Sequence, residues 1–181
     1  MLVIGCGNSN LSAGLYEDGF QVTSIDFSEV VIQEMRTRHP NMTWDLMDMT
    51  AMTYPAASFH AVVDKGSLDA LMSEDNDLAA SQARTMFDEI TRVLVESGIY
   101  IVISLGQDHI LRALLNYFGH DYSIEVSIVV ELRSNPLVPY IFIISKTTTK
   151  TSRLRLKFDS MGCTLAEGRT VTSSDAILQV A

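Results

Sequence analysis

This chain of 181 residues has only two cysteines, Cys6 and Cys163, far apart in the sequence. With no secretory leader in "MLVIGCG", which is neither basic nor long enough, both are expected as free thiols in a cytoplasmic protein rather than as a disulfide. Histidine is equally sparse: His39, His60, His109 and His120 stand apart without metal-ligand spacing, so no metal site is expected. Ser9 and Ser104 lack the surroundings of a nucleophile elbow or a triad. Long apolar runs are missing too. The most apolar stretches, "YIVISL" and "YIFIIS", are strand-sized, which excludes a helix spanning a membrane. Basic residues are outnumbered: 13 Lys and Arg face 22 Asp and Glu, a net charge of −9. That balance argues against a phosphate-backbone binding surface and hence against nucleic acid, and it permits a basic protein partner.

What remains is ordinary globular material, 47% hydrophobic and 19% charged, enough for one domain with a sizeable core. No internal repeat or low-complexity linker interrupts it. Short β-rich runs alternate with amphipathic helical runs. Residues 1–4 read as a strand, 9–18 as a helix with Leu11 and Leu15 four apart, and "QVTSID" as a second strand ending at Asp26. "SEVVIQEMRTRH" follows as a helix with Ser28 as N-cap and Pro40 beyond its end. "MTWDLM" and "FHAVVD" read as the third and fourth strands. Residues 77–95 carry Ala79, Ala83, Met86, Phe87, Ile90, Val93 and Leu94 at helical spacing. "GIYIVISL" is a continuously apolar, buried fifth strand, and "DHILRALLNYF" the next helix. Then "YSIEVSIVVEL" and "LVPYIFIISK" flank "RSNP" with no helix between them, the pattern of an antiparallel hairpin. The fold class expected is α/β: a doubly wound, mostly parallel seven-strand sheet closed by a C-terminal antiparallel hairpin. Residues 1–146 are expected to form that core, and residues 147–181 a peripheral tail, disordered in part.

The candidate site lies at the carboxyl ends of the strands, where open α/β sheets bind ligands. "LVIGCGNSN" is a strand followed by a tight glycine turn and a helix, with Gly5 and Gly7 permitting close backbone approach. A dinucleotide fingerprint would carry a third glycine where Asn10 stands, and a P-loop would end in Gly-Lys-Ser/Thr. S-adenosylmethionine, which has no phosphate, is the other common user of such a turn. Asp26, about twenty residues on, can accept both ribose hydroxyls. Asp48 can accept from an adenine amino group, with Met47 or Met49 against the ring. Asp64, Lys65 and Gly66 end the fourth strand. Each residue also has a plainer reading: the glycines as an ordinary turn, Asp26 as a helix cap, Asp48 and Lys65 as solvated surface charges. The series over four consecutive strand ends is more specific than any one of them.

At these residues the chain resembles the methyltransferase-like 13 family. "LVIGCGNSNLS", "IDFSEVVIQEM", "MDMTAM", "FHAVVDKGSLDAL" and "RVLVESGIYIVISLGQ" carry the likeness, clear over residues 1–146 and faint beyond them. The resemblance implies a Rossmann-like, class I S-adenosylmethionine-dependent methyltransferase that releases S-adenosylhomocysteine. Its relatives include enzymes that methylate lysines of translation elongation factor 1-alpha. It implies that Gly5 and Gly7 line the methionine part of the cofactor, that Asp26 holds the ribose with Phe27 beside the adenine, and that Asp48 and Met49 contact the adenine. Lys65 would lie near the cofactor, and Asp64 would shape the same edge. The family carries a segment ahead of the glycine strand that covers the cofactor. This chain starts at that strand, so the covering segment is expected to be missing, and a second copy covering the edge, a homodimer, is expected in its place.

Methyl transfer from a sulfonium is an in-line displacement, which needs alignment and exclusion of water more than a dedicated base. No catalytic residue stands out. "DKGS" occupies the place after the fourth strand where an Asn-Pro-Pro-Tyr-like run would mark methylation of adenine, cytosine or glutamine. The resemblance, rather than any one residue, implies protein-lysine methylation. The competing readings are a catalytically silent cofactor-binding or scaffold module, a small-molecule methyltransferase, and a NAD-dependent dehydrogenase, which Asp26 would also fit.

Overall fold

The structure is a computed structural model that describes residues 1–128, 139–146, 157–159 and 162–164. In chain order the elements are β1 (Leu2–Ile4), α1 (Leu11–Glu17), β2 (Thr23–Asp26), α2 (Glu29–Arg38), β3 (Thr43–Leu46), β4 (Phe59–Lys65) and α3 (Ser67–Leu71). There follow α4 (Asp77–Val93), β5 (Leu94–Ser104), α5 (Asp108–Phe118), β6 (Tyr122–Ile128), β7 (Tyr140–Lys146), β8 (Lys157–Asp159) and β9 (Gly162–Thr164).

Seven strands form one sheet in the order β3-β2-β1-β4-β5-β7-β6. The first five pair in parallel, and β7 lies antiparallel between β5 and β6. This is the expected doubly wound sheet with its closing antiparallel pair. The turn expected at "RSNP" lies outside the described residues. Within the expected tail, β8 and β9 pair with each other in a separate two-stranded sheet.

Alternation along the strands builds both faces of the core. Leu2 and Ile4 of β1 and Val62 of β4 join one apolar cluster with Met86, Phe87 and Ile90 of α4 and Ile110, Leu114 and Phe118 of α5. Val3 and Val63 face the other way, onto Ile32 and Met35 of α2 and Trp44 of β3. Ser28 caps α2 as expected, its hydroxyl accepting from the Val31 N–H at 3.4 Å. Two boundaries differ from the periodicity. α4 stops at Val93 and β5 starts at Leu94 with no loop between them, because Phe59 of β4 already pairs with Leu94. The short helix α3 has too few residues to show a period in the sequence. Among the described residues no helix is long and apolar enough to cross a membrane.

β1, β2 and β3 run off to one side and β4 and β5 to the other, so the strand order reverses between β1 and β4. A crevice opens at the carboxyl edge of that reversal. The loop after β3 is held beside it by one ion pair. Arg92 of α4 donates to the carbonyls of Met52 (2.7 Å) and Tyr54 (2.6 Å), while Glu89, paired with Arg92, accepts from the Met52 N–H at 2.6 Å.

The two glycines of the first turn are under different constraints. Both have φ of +53°. A Cβ on Gly5 would meet Ser67 Oγ at 2.4 Å and Ser67 Cβ at 2.8 Å, whereas one on Gly7 meets nothing within 4 Å. Gly5→Ala is expected to cost about 2–4 kcal/mol, combining left-handed strain with overpacking, and Gly7→Ala about 1–2 kcal/mol from strain alone. Urea unfolding of the two variants checks this; equal losses would contradict it.

Candidate functional site

Asp26, at the end of β2, organises the edge. It is only 8% exposed. Its Oδ2 accepts the Gly7 N–H at 2.9 Å and its Oδ1 accepts the Ser28 N–H at 2.9 Å. One carboxylate therefore ties the glycine turn to the start of α2. Ser28, not Asp26, is the helix cap. Each carboxylate oxygen has one of its two acceptor positions taken by a backbone N–H, and Asp26 also lines a cavity. Phe27 next to it is 81% exposed. Cys6, buried beside Asp26, has its thiol pushed up to about 12, first by burial and then by the carboxylate's charge. It holds no thiolate at neutral pH and is no nucleophile.

The chain after β3 forms the next wall. The Met47 N–H donates to the Asp26 carbonyl at 3.0 Å, extending the ladder by one residue. Asp48 is exposed and folded into a local turn, its Oδ1 accepting from the N–H and the hydroxyl of Thr50, both at 2.8 Å.

At the end of β4, Asp64 is fully buried and serves α3. It accepts from the N–H groups of Ser67 (2.8 Å) and Leu68 (3.2 Å) and from the Tyr100 hydroxyl (3.1 Å). Ser67 in turn donates its hydroxyl to the Ile4 carbonyl at 2.9 Å, which fastens α3 to the end of β1. Gly66, with φ of +78°, makes the sharp turn between strand and helix. From the same helix, Asp69 accepts from the Ser104 hydroxyl (3.1 Å) and the Leu105 N–H (3.0 Å), which ties α3 to the end of β5.

These walls enclose an open cavity of about 550 Å³, within the usual range for small-molecule sites. Of the eight residues singled out in the sequence, Gly5, Asp26, Phe27, Asp48, Met49 and Lys65 line it. Gly7 and Asp64 do not: Gly7 meets it only through its N–H on Asp26, and Asp64 only through α3. Met47 and Gly66, noted at the strand ends, also line the cavity. The sequence reading missed Thr50, Ser67, Ala70, Leu71 and Gln82. Ser67 was findable, since Gly-Ser after a strand is a helix-start signal; Gln82 lies on the exposed face of α4 and leaves no mark. Among the described residues no group of three His, Cys, Asp or Glu could hold a metal ion.

The family model described as "Methyltransferase domain" matches residues 1–98. The chain belongs to this methyltransferase-domain family. Human eEF1A lysine and N-terminal methyltransferase is 45% identical over 126 residues, covering 67% of this chain and 18% of that protein. Bovine EEF1A lysine methyltransferase 4 is 39% identical over 119 residues, covering 60% of this chain and 47% of that one. The chain thus spans less than half the length of these relatives. A solved SAM-dependent methyltransferase from Methanosarcina mazei shares the fold at a TM-score of 0.64 and 16% identity, over 82% of this chain and 92% of its own. The 1,6-didemethyltoxoflavin-N1-methyltransferase of Burkholderia thailandensis, solved with S-adenosylhomocysteine, does so at 0.60 and 16%, over 81% of this chain and 71% of its own.

In this methyltransferase domain the burial of Asp64 has a measurable consequence. Burial pushes its carboxyl up from 3.8 to about 6, against the opposing pull of the Ser67 N–H and the Tyr100 hydroxyl. As pH falls from neutral through that value, the folded chain takes up a proton that the unfolded chain does not, so this group's contribution to stability rises. Relative to Asp64→Asn, the wild-type chain is expected to gain about 2 kcal/mol between pH 7.5 and pH 4.5. Urea unfolding of both chains across that range checks it; parallel stability profiles would contradict it.

Proposed function

We propose that this domain binds S-adenosylmethionine in the cavity and methylates a lysine amine of a protein. The acceptor class we infer is elongation factor 1-alpha, which the names of the curated relatives carry. The observation that carries the cofactor reading is the state of Asp26. Its two oxygens are fixed by backbone N–H groups, and its remaining acceptor positions suit two adjacent hydroxyls. A ribose presents such a pair.

The rest of the cavity fits the remainder of the cofactor. Phe27, Met47 and Met49 offer apolar and polarisable faces to a purine, and Asp48 offers a carboxylate oxygen to its amino group. Gly5 leaves the floor beside β1 free of any side chain, which suits the amino-acid tail. When bound, the cofactor supplies an electrophilic methyl group on a positively charged sulfur. The chain's part is to bind and orient. Asp26 fixes the ribose, Gly7 and Ser28 fix Asp26, and Asp64 fixes α3 as the wall opposite the methionines. The acceptor lysine must be neutral at attack, and a neighbouring sulfonium favours its neutral form. We place the domain in the cytoplasm, with the translation factor it is proposed to modify.

Calorimetric titration of this chain with S-adenosylhomocysteine, with NAD as control, tests the reading. Binding of the first alone is expected. Asp26→Ala should weaken it about a hundredfold through loss of two charge-assisted hydrogen bonds, at a stability cost of about 2 kcal/mol as the Gly7 and Ser28 N–H groups lose their acceptor. Binding of NAD, or unchanged affinity in the variant, would overturn it. Methyl transfer to elongation factor 1-alpha, followed by mass spectrometry, tests the acceptor separately.

A further inference from the structure

One face of the sheet runs out of cover at β5. α3, α4 and α5 pack on the opposite face, where Tyr100, Val102, Phe142 and Ile144 are all buried. α1 and α2 pack on the first face, and their cluster reaches across the sheet only as far as Val63 and Ile101. Beyond that point the strands keep their alternation. Ile99, Ile101 and Ile103 of β5 and Ile141 and Ile143 of β7 point away from α4 and α5 and are only half-buried. The register sets them side by side, Ile101 across from Ile143 and Ile103 across from Ile141. Strands in the middle of a doubly wound sheet are covered on both faces, so a bare block of isoleucines marks a contact surface.

The margins of this block carry opposite charges. On one side Glu125 of β6 stands across from Ile143. It faces the bare side, since its neighbours Ile124 and Val126 join the cluster with α4 and α5. On the other side Lys65 of β4 stands across from Ile103, at the corner where this face meets the cavity. Both are exposed, and among the described residues neither has an ion-pair partner.

We propose that a second copy of the chain docks here, sheet face on sheet face, about a two-fold axis running along the strands between β5 and β7. That axis lays β4 of each copy over β6 of the other. The isoleucines meet across the middle, and each Glu125 lies opposite the other copy's β4, two residues along the strand from Lys65. That offset is about 7 Å, which the two long side chains span. The operation that forms one acid–base pair forms the second, so the face is self-complementary, as a two-fold interface must be. The two Glu125 side chains sit at opposite margins and do not meet. The area sets the strength. Four strands and five residues of each give a footprint of roughly 15 by 17 Å, well below the ~800 Å² per partner of a standard interface. The dimer is therefore weak and reversible, with a dissociation constant on the order of tens of micromolar. The proposal does not rest on the cofactor reading, and it places the second copy on the sheet face rather than over the carboxyl edge.

Sedimentation equilibrium of the full chain across the micromolar range, at low salt, tests this. A concentration-dependent dimer is expected. Glu125→Lys should weaken it about tenfold, and Lys65→Glu by as much, because each sets like charges against each other at both margins. Both are exposed positions, and unchanged melting temperatures would show that the fold is intact. Combining the two substitutions exchanges the charges and should restore association to the wild-type level. A monomer at every concentration, a dimer indifferent to the single charge reversals, or a double variant no better than the single ones would overturn the proposal.

Discussion

One carboxylate shared between two backbone N–H groups holds the candidate site together. Asp26 accepts from Gly7 and from Ser28, 2.9 Å in each case. The first bond shapes the turn after β1; the second sets where α2 departs from β2. The topology makes this possible, because β1 and β2 are parallel neighbours whose carboxyl ends lie side by side. Gly7, in the left-handed region, has no side chain to hold that end of the turn in place. A buried acceptor for the Gly7 N–H supplies the constraint that packing elsewhere supplies.

The opposite wall depends on a second carboxylate used in a different way. Asp64 gives its acceptor capacity to the start of α3 and to Tyr100. Ser67 then closes the gap to β1 so tightly that Gly5 has no room for a side chain. The same glycine that clears the cavity floor also admits the hydroxyl that anchors the wall. Burying Asp64 is unfavourable for its charged form, and the hydrogen bonds offset only part of the cost. The fold accepts that cost where a five-residue helix, too short to be stable alone, has to hold a fixed place.

Much of this was legible in the sequence, for a definite reason. Strands buried on both faces read as continuous apolar runs, and helices lying on them read as stripes. The reversal of strand order then puts the strand-end residues Asp26, Asp48 and Lys65 around one crevice. Residues whose part is played through the backbone or through a neighbour were less legible. Gly7 acts by an N–H, and Asp64 points into α3 rather than into the cavity, a distinction that a strand-end position does not carry. Ala70 and Leu71 belong to a helix below the length at which periodicity shows. Gln82 belongs to α4, whose pattern reports only the face that packs on the sheet.

Where a bound nucleoside meets Asp26 decides how the crevice works. A crystal structure of the chain with S-adenosylhomocysteine measures that directly. Both ribose hydroxyls are expected within hydrogen-bonding distance of the Asp26 oxygens, with the Gly7 and Ser28 bonds intact and the tail lying over Gly5. A ribose placed elsewhere in the crevice, or an Asp26 side chain turned away from Gly7 on binding, would contradict it.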